Sequence, residues 1–241
     1  LQRLNYFKPG LCPYTISSTE NNLEYYIDIQ YLEEYQKLNA YDRSVQKRIL
    51  KGVLKDLQSH VYCYKKQLSE GERREFFNNF IEEKIITKLN VFSSQNRLMK
   101  RIINGDYVTI NGKKYKTLKE IFNNKNIFDF ATTEISPVHG DLTLENILYN
   151  AILDDYKLID MDGAKLMDTQ YLDLGKLSQS ILSHYKEWNE VDINIDFIKN
   201  DFVCDPRWFD LKKEDENFLN EAWSSQGCVI DKAIFYMGTY F

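Results

Sequence analysis

The chain has 241 residues, of which 43% are hydrophobic and 28% charged, with a formal net charge of −5. That is enough chain to bury a substantial core in one large domain or two small ones. The acidic balance excludes broad nucleic-acid binding through a basic surface, and no apolar run approaches the ~20 residues a membrane-spanning helix needs. Four scattered cysteines (Cys12, Cys63, Cys204, Cys228) form no C-x-x-C pair and read as buried free thiols in a reducing, cytoplasmic setting. Three dispersed histidines (His60, His139, His184) argue against zinc.

Along the chain, the β-rich run Leu23–Tyr31 predicts a strand, and its continuation through Glu33-Glu34 predicts a solvated acidic turn. From Arg43 to Lys66, Val45, Ile49, Val53, Leu57 and Val61 fall four apart with Leu50 and Leu54 beside them, the apolar stripe of a long helix. Ser69-Glu70-Gly71-Glu72 fits a capping box opening a second helix that carries Phe76, Phe77, Phe80, Ile81 and Leu89. Tyr107–Tyr115 alternates on both sides of Asn111-Gly112 and predicts a tight hairpin. Thr117-x-x-Glu120 starts another short helix. Two apolar runs ending in acids follow, "ISPVHGDLTLENILYN" and "YKLIDMDGA", and from Tyr171 onward the pattern is mostly helical.

Those two runs carry the chemistry. His139-Gly140-Asp141 is followed five residues later by Asn146, then by Asp160, Asp162 and Asp173. Phosphoryl transfer needs one carboxylate to orient a hydroxyl and take its proton, and oxygen ligands to hold magnesium on the phosphates. "HGDLTLEN" has the H-x-D-x-x-x-x-N spacing of a kinase catalytic loop.

Together "VHGDLTLENIL", "LIDMDGA" and "DTQYLDLGKL" resemble the aminoglycoside phosphotransferase and choline kinase group of kinase-like enzymes, from about Leu1 to Tyr185. The resemblance implies an α+β, protein-kinase-like fold. A remnant of the small lobe and hinge would occupy residues 1–32, and a mostly helical large lobe 33–241, its short strands bearing a catalytic loop at 139–146 and a metal loop at 159–163. It implies Asp141 as catalytic base, His139 as the brace of that loop, and Asn146 and Asp160 as magnesium ligands, with Asp162 a weaker one. Asp173, spaced from Asp168 in the family manner, would hold the loop backbone. Backbone near Gln30 to Leu32 would bond the adenine of ATP (or the base of GTP), and Ile147 and Ile159 would flank the ring. The acceptor would be a small-molecule hydroxyl on a sugar, aminoglycoside or amino-alcohol, and the hairpin a family-specific insertion near its pocket.

Two departures stand out. No glycine-rich phosphate loop, strand lysine or helix glutamate fits the chain, so an additional N-terminal segment is expected to carry them; the first residue, Leu1, and the apolar "AIFYMGTYF" both read as cut ends. These residues alone are then expected to be weak or inactive. Gly140 stands where protein kinases have arginine, and twelve residues between Asp160 and Asp173 leave no room for a peptide-docking segment. Two rivals are a catalytically incomplete kinase-like binding module and a dehalogenase-type phosphatase with Asp160 as nucleophile. The second is disfavoured by Ala164, where that family usually has threonine, and by the short, helical-looking remainder. Trp188, Trp208 and Trp223 are better explained by packing than by an aromatic cage.

Overall fold

The computed structural model describes residues 3–20, 25–95, 97–117, 120–121, 125–161, 167–182, 194–196, 201–203 and 213–225. In chain order the elements are α1 (Arg3–Phe7), β1 (Thr15–Glu20), β2 (Tyr25–Ile29), β3 (Gln36–Lys37), α2 (Arg43–His60), β4 (Lys66–Gln67), α3 (Glu70–Ile81), α4 (Thr87–Gln95) and α5 (Arg97–Asn104). There follow β5 (Val108–Ile110), β6 (Lys113–Tyr115), β7 (Glu134–Pro137), β8 (Ile147–Asn150), β9 (Asp155–Leu158), β10 (Met167–Asp168), α6 (Gln170–Leu182), β11 (Asn194–Asp196), β12 (Asp201–Val203) and α7 (Lys213–Ser225). The class is mixed α+β with small, mostly antiparallel sheets. Among the described residues no helix is long and apolar enough to cross a membrane. The chain divides into two compact units, one of residues 1–67, 134–181 and 214–241, the other of 68–133 and 182–213.

The first unit contains the candidate site. Its long helix α2 is capped by Asp42, whose carboxylate accepts Ser44 N–H at 2.9 Å and Val45 N–H at 3.1 Å. Ile49, Leu50, Val53, Leu54 and Leu57 are all buried, each worth roughly 1.5–3 kcal/mol of apolar burial. Leu4, Leu11, Leu38, Leu142, Ile147, Leu158, Leu174 and Leu177 complete the core of this unit. At the start of α2, Arg43 donates to the Ile181 carbonyl (2.9 Å) and to Asp215 (2.9 Å), tying it to α6 and α7.

The helix expected over Arg43–Lys66 ends at His60. The apolar stripe runs out at Val61, Tyr62 turns fully inward, and Cys63 to Lys66 are exposed. Lys66–Gln67 instead pairs with Ile135 and Glu134 as β4 against β7. The cysteine expectation is also corrected in part. Cys12 is buried, and burial pushes its thiol up to about 11; Cys63, just past the end of α2, is exposed. Cys204 and Cys228, with Trp188 and Trp208, lie outside the described residues. Glu33 and Glu34 are exposed in a turn, with Glu34 at φ 64°.

In the second unit the capping box forms as expected: Ser69 Oγ accepts Glu72 N–H and Glu72 Oε2 accepts Ser69 N–H. The helix it opens stops at Ile81, and a wider turn over Glu82–Ile86 leads into α4, which carries Leu89. Asn111 (φ 48°) and Gly112 (φ 77°) close the β5–β6 hairpin with both central residues left-handed, which is the demand an Asn-Gly turn meets. Glu120 N–H reaches Thr117 Oγ1 at 3.3 Å, the cap expected there. Among the described residues from Tyr171 onward helix predominates, as expected, but two three-residue strands, β11 and β12, stand between the helices, and β12 runs parallel to β5. Three-residue strands are shorter than any periodicity can register.

Candidate functional site

The loop after β7 is built around a buried carboxylate. Asp173, in the first turn of α6, has no exposed surface. Its Oδ2 accepts the His139 N–H at 2.8 Å and the Tyr62 hydroxyl at 2.8 Å, and its Oδ1 accepts the Gly140 N–H at 2.7 Å. Burial pushes this carboxyl above its ordinary range, and these three donors pull it back. Gly140 sits at φ 88°, a left-handed backbone that costs a glycine nothing.

His139 is fully buried, and its ring joins two loops. Nε2 lies 2.8 Å from the Ile159 carbonyl, and Nδ1 lies 3.3 Å from the Asp141 backbone nitrogen. A carbonyl can only accept, so Nε2 carries the proton. The Asp141 N–H donates to Nδ1, so that nitrogen is bare. The imidazole is therefore neutral, in agreement with its pKa being held below the usual value by burial. A ring with both nitrogens spent on backbone is a positioning group rather than a proton carrier.

Asn146 lies in a short 3-10 turn over Leu144–Asn146 and is buried. Its Nδ2 donates to the Asp141 carbonyl (2.8 Å) and to Asp141 Oδ2 (3.0 Å), which turns its amide oxygen away from Asp141. Its carbonyl accepts the Ile159 N–H at 2.9 Å. So the two loops meet twice, through His139 and through Asn146, and Asp160 follows directly. Asp160 is exposed and left-handed (φ 53°), a conformation that Asp tolerates better than most side chains. Asp162 lies outside the described residues.

The structure thus brings Asp141, Asn146, His139, Asp173 and the backbone before Asp160 into one region of one unit. Among the described residues no group of three His, Cys, Asp or Glu side chains forms a metal cage. One carboxylate and one amide oxygen instead suit magnesium that keeps waters and arrives on phosphate oxygens, which is how that hard ion usually binds. The residues expected to meet a nucleobase are placed less fully. Gln30 N–H already donates to the Tyr14 carbonyl at 2.8 Å. A nucleobase edge would therefore be read by the Gln30 carbonyl or the Tyr31–Leu32 backbone. Ile159 is half-buried, whereas Ile147 has no exposed surface.

Three contributors carry no motif signal. Tyr62 reaches Asp173 from just past the end of α2. Lys176 Nζ lies 3.0 Å from Asp141 Oδ1, and Ser180 Oγ accepts the Leu144 N–H at 3.2 Å. Asp173, Lys176 and Ser180 stand at i, i+3 and i+7, one face of α6. A concavity of about 370 Å³ between α2 and α7, lined by Lys51, Lys55 and Phe218 among others, includes none of these residues. No family model, no curated protein and no solved structure matches the chain.

Proposed function

We propose that the chain carries the catalytic and metal-holding part of a kinase-like phosphotransferase that moves the γ-phosphoryl group of ATP or GTP to a hydroxyl of a small molecule. The observation that carries this is the pairing of Asp141 with Asn146, five residues apart, in a loop hung from buried Asp173 and tied to the backbone before Asp160. Phosphoryl transfer asks a protein mainly for position and electrostatics, and this arrangement fixes both kinds of group relative to one backbone. Asp141 would orient the acceptor hydroxyl and take its proton. The acceptor oxygen bonds to the γ-phosphorus as the bond to the β–γ bridging oxygen breaks, and the nucleoside diphosphate leaves. Asn146 Oδ1 and Asp160 would hold magnesium, which when bound neutralises charge on the phosphates.

The brevity of the Asp160–Asp173 interval supports a small acceptor over a peptide. For the phosphatase rival, Asp160 would be the nucleophile. It follows β9, which among the described residues pairs antiparallel with β8 in the order β3-β8-β9, whereas the α/β folds that present groups at strand ends use parallel sheets. The binding-module rival gives no chemical reason for Asp141, Asn146 and Asp160 to stand together.

The test is nucleotide consumption by the full-length protein with magnesium and a panel of sugars, amino sugars and amino alcohols. Asp141→Asn should abolish transfer. Unchanged transfer in that variant would overturn the mechanism. Phosphate release from a simple ester without nucleotide, lost in Asp160→Asn, would favour the phosphatase.

A further inference from the structure

The catalytic-loop carboxylate is held from two sides. Asn146 Nδ2 lies 3.0 Å from Asp141 Oδ2, and Lys176 Nζ lies 3.0 Å from Asp141 Oδ1. The first hold comes from within the loop. The second comes from α6, one turn beyond the aspartate that grips the loop backbone. One helix face therefore touches the loop at three points: Asp173 on the His139 and Gly140 amides, Lys176 on the Asp141 side chain, and Ser180 on the Leu144 amide. The first and last fix backbone; only Lys176 acts on the side chain that would do chemistry.

We propose that Lys176 is a positioning residue for Asp141, holding its carboxylate in the rotamer that meets the acceptor hydroxyl. The proposal rests on the phosphotransferase reading. The Asp141 side chain is 40% exposed and that of Lys176 23%. A pair so open to water adds little to stability, so its consequence lies in where the carboxylate points. Left to Asn146 alone, a half-exposed Asp141 can turn about its single contact. With both oxygens held from opposite partners, the plane of the carboxylate is set, and each oxygen keeps a lone pair for an incoming hydroxyl. Misplacing a reacting group by about 1 Å costs on the order of 100-fold in rate. An ammonium suits the task because it offers three donors and a compact charge on a flexible stem. Arginine can supply the charge at nearly the same reach, whereas methionine fills the space without it.

The experiment compares the full-length protein with its Lys176→Met, Lys176→Arg and Asp141→Asn variants. Water serves as acceptor for magnesium-ATP, and binding of magnesium and a non-hydrolysable ATP analogue is titrated separately. Lys176→Met should lower ADP release roughly 10- to 100-fold, with affinity for the analogue and melting temperature essentially unchanged, and Lys176→Arg should recover most of the rate. A purely structural lysine would lower stability and binding together and show no rescue by arginine. A Lys176→Met protein as fast as wild type, beside an inactive Asp141→Asn, would overturn the role of Lys176 alone. So would a loss in Lys176→Met that appears as weakened analogue binding at unchanged turnover. A wild type without turnover, or an Asp141→Asn protein as active as wild type, would overturn the phosphotransferase reading and this inference with it.

Discussion

The carboxylate of Asp173 accepts the backbone N–H of His139 at 2.8 Å across 34 residues of sequence, with no solvent at either residue. Gly140 N–H and the Tyr62 hydroxyl point at the same carboxylate. In Asp173→Asn an amide nitrogen replaces one acceptor oxygen and faces a donor. Leaving a buried donor unpaired costs about 1–3 kcal/mol, and more at a charged partner. Asp173→Asn should therefore lower unfolding stability by roughly 3 kcal/mol, and Tyr62→Phe, which removes one donor, by about 1 kcal/mol. Urea denaturation measures both. A cost below 0.5 kcal/mol for Asp173→Asn, on the order of a surface change, would mean that the loop does not hang from this residue.

The neutral His139 ring gives stability a pH dependence of definite sign. Burial holds its pKa below the ordinary histidine value, against opposing pulls from Asp173, the Ile159 carbonyl, Asp141 and Asp160. Just below pH 6.5 the unfolded chain binds a proton that the folded chain refuses, so stability falls with falling pH. The contribution is fully present above about pH 6.5 and is lost progressively below it, toward the folded-state value. His139→Gln keeps an amide N–H for the Ile159 carbonyl and cannot titrate. The difference in urea midpoint between wild type and variant, followed from pH 7.5 to 5.5, should shift against the wild type as pH drops. A flat difference, or one of opposite slope, would sink the neutral-ring assignment.

Gly140 explains a letter that the sequence only recorded. At φ 88° its backbone disfavours any side chain, so an arginine at this position would be strained whatever its partner. Gly140→Ala should cost about 1–2 kcal/mol, the ordinary penalty for a side chain in left-handed backbone. It should also weaken the Asp173 contact, read as faster amide exchange at positions 139 and 140. Stability equal to wild type would show that the loop reaches Asp173 by another backbone path.

What was legible in this loop is what close sequence neighbours set. Asp141 and Asn146 are five residues apart, so spacing alone brings them together, and Ser69–Glu72 and Asn111-Gly112 were readable for the same reason. Tyr62 and Lys176 were not legible. Tyr62 looked like the tail of a helix that ends before it, and its role appears only when α2 and α6 are folded into one unit. Lys176 read as an ordinary helical position until Asp173 fixed which face of α6 meets the loop. The end of α2 at His60 was missed because strand pairing at Lys66–Gln67 and the burial of Tyr62 won over the helix propensity of "CYKK". Propensity yields to tertiary contacts of that kind.

Asp160 sets function against backbone comfort. At φ 53° a non-glycine residue carries roughly 1 kcal/mol of conformational cost, and Asp160 is exposed. Glycine there relieves the strain but loosens the unfolded chain, two effects of similar size and opposite sign. Asp160→Gly should therefore match wild-type stability to within about 1 kcal/mol. On the proposed magnesium-holding role of Asp160, phosphoryl transfer should nevertheless fall roughly 100-fold or more, since losing a metal ligand would remove several kcal/mol of transition-state stabilisation. Asp160→Asn, which also tolerates left-handed backbone, should show the same activity loss with no gain in stability. Magnesium titration separates the two readings of the carboxylate. A metal ligand predicts a raised magnesium requirement in Asp160→Asn, whereas a residue needed only for backbone shape predicts an unchanged one, and that result would remove Asp160 from the metal site.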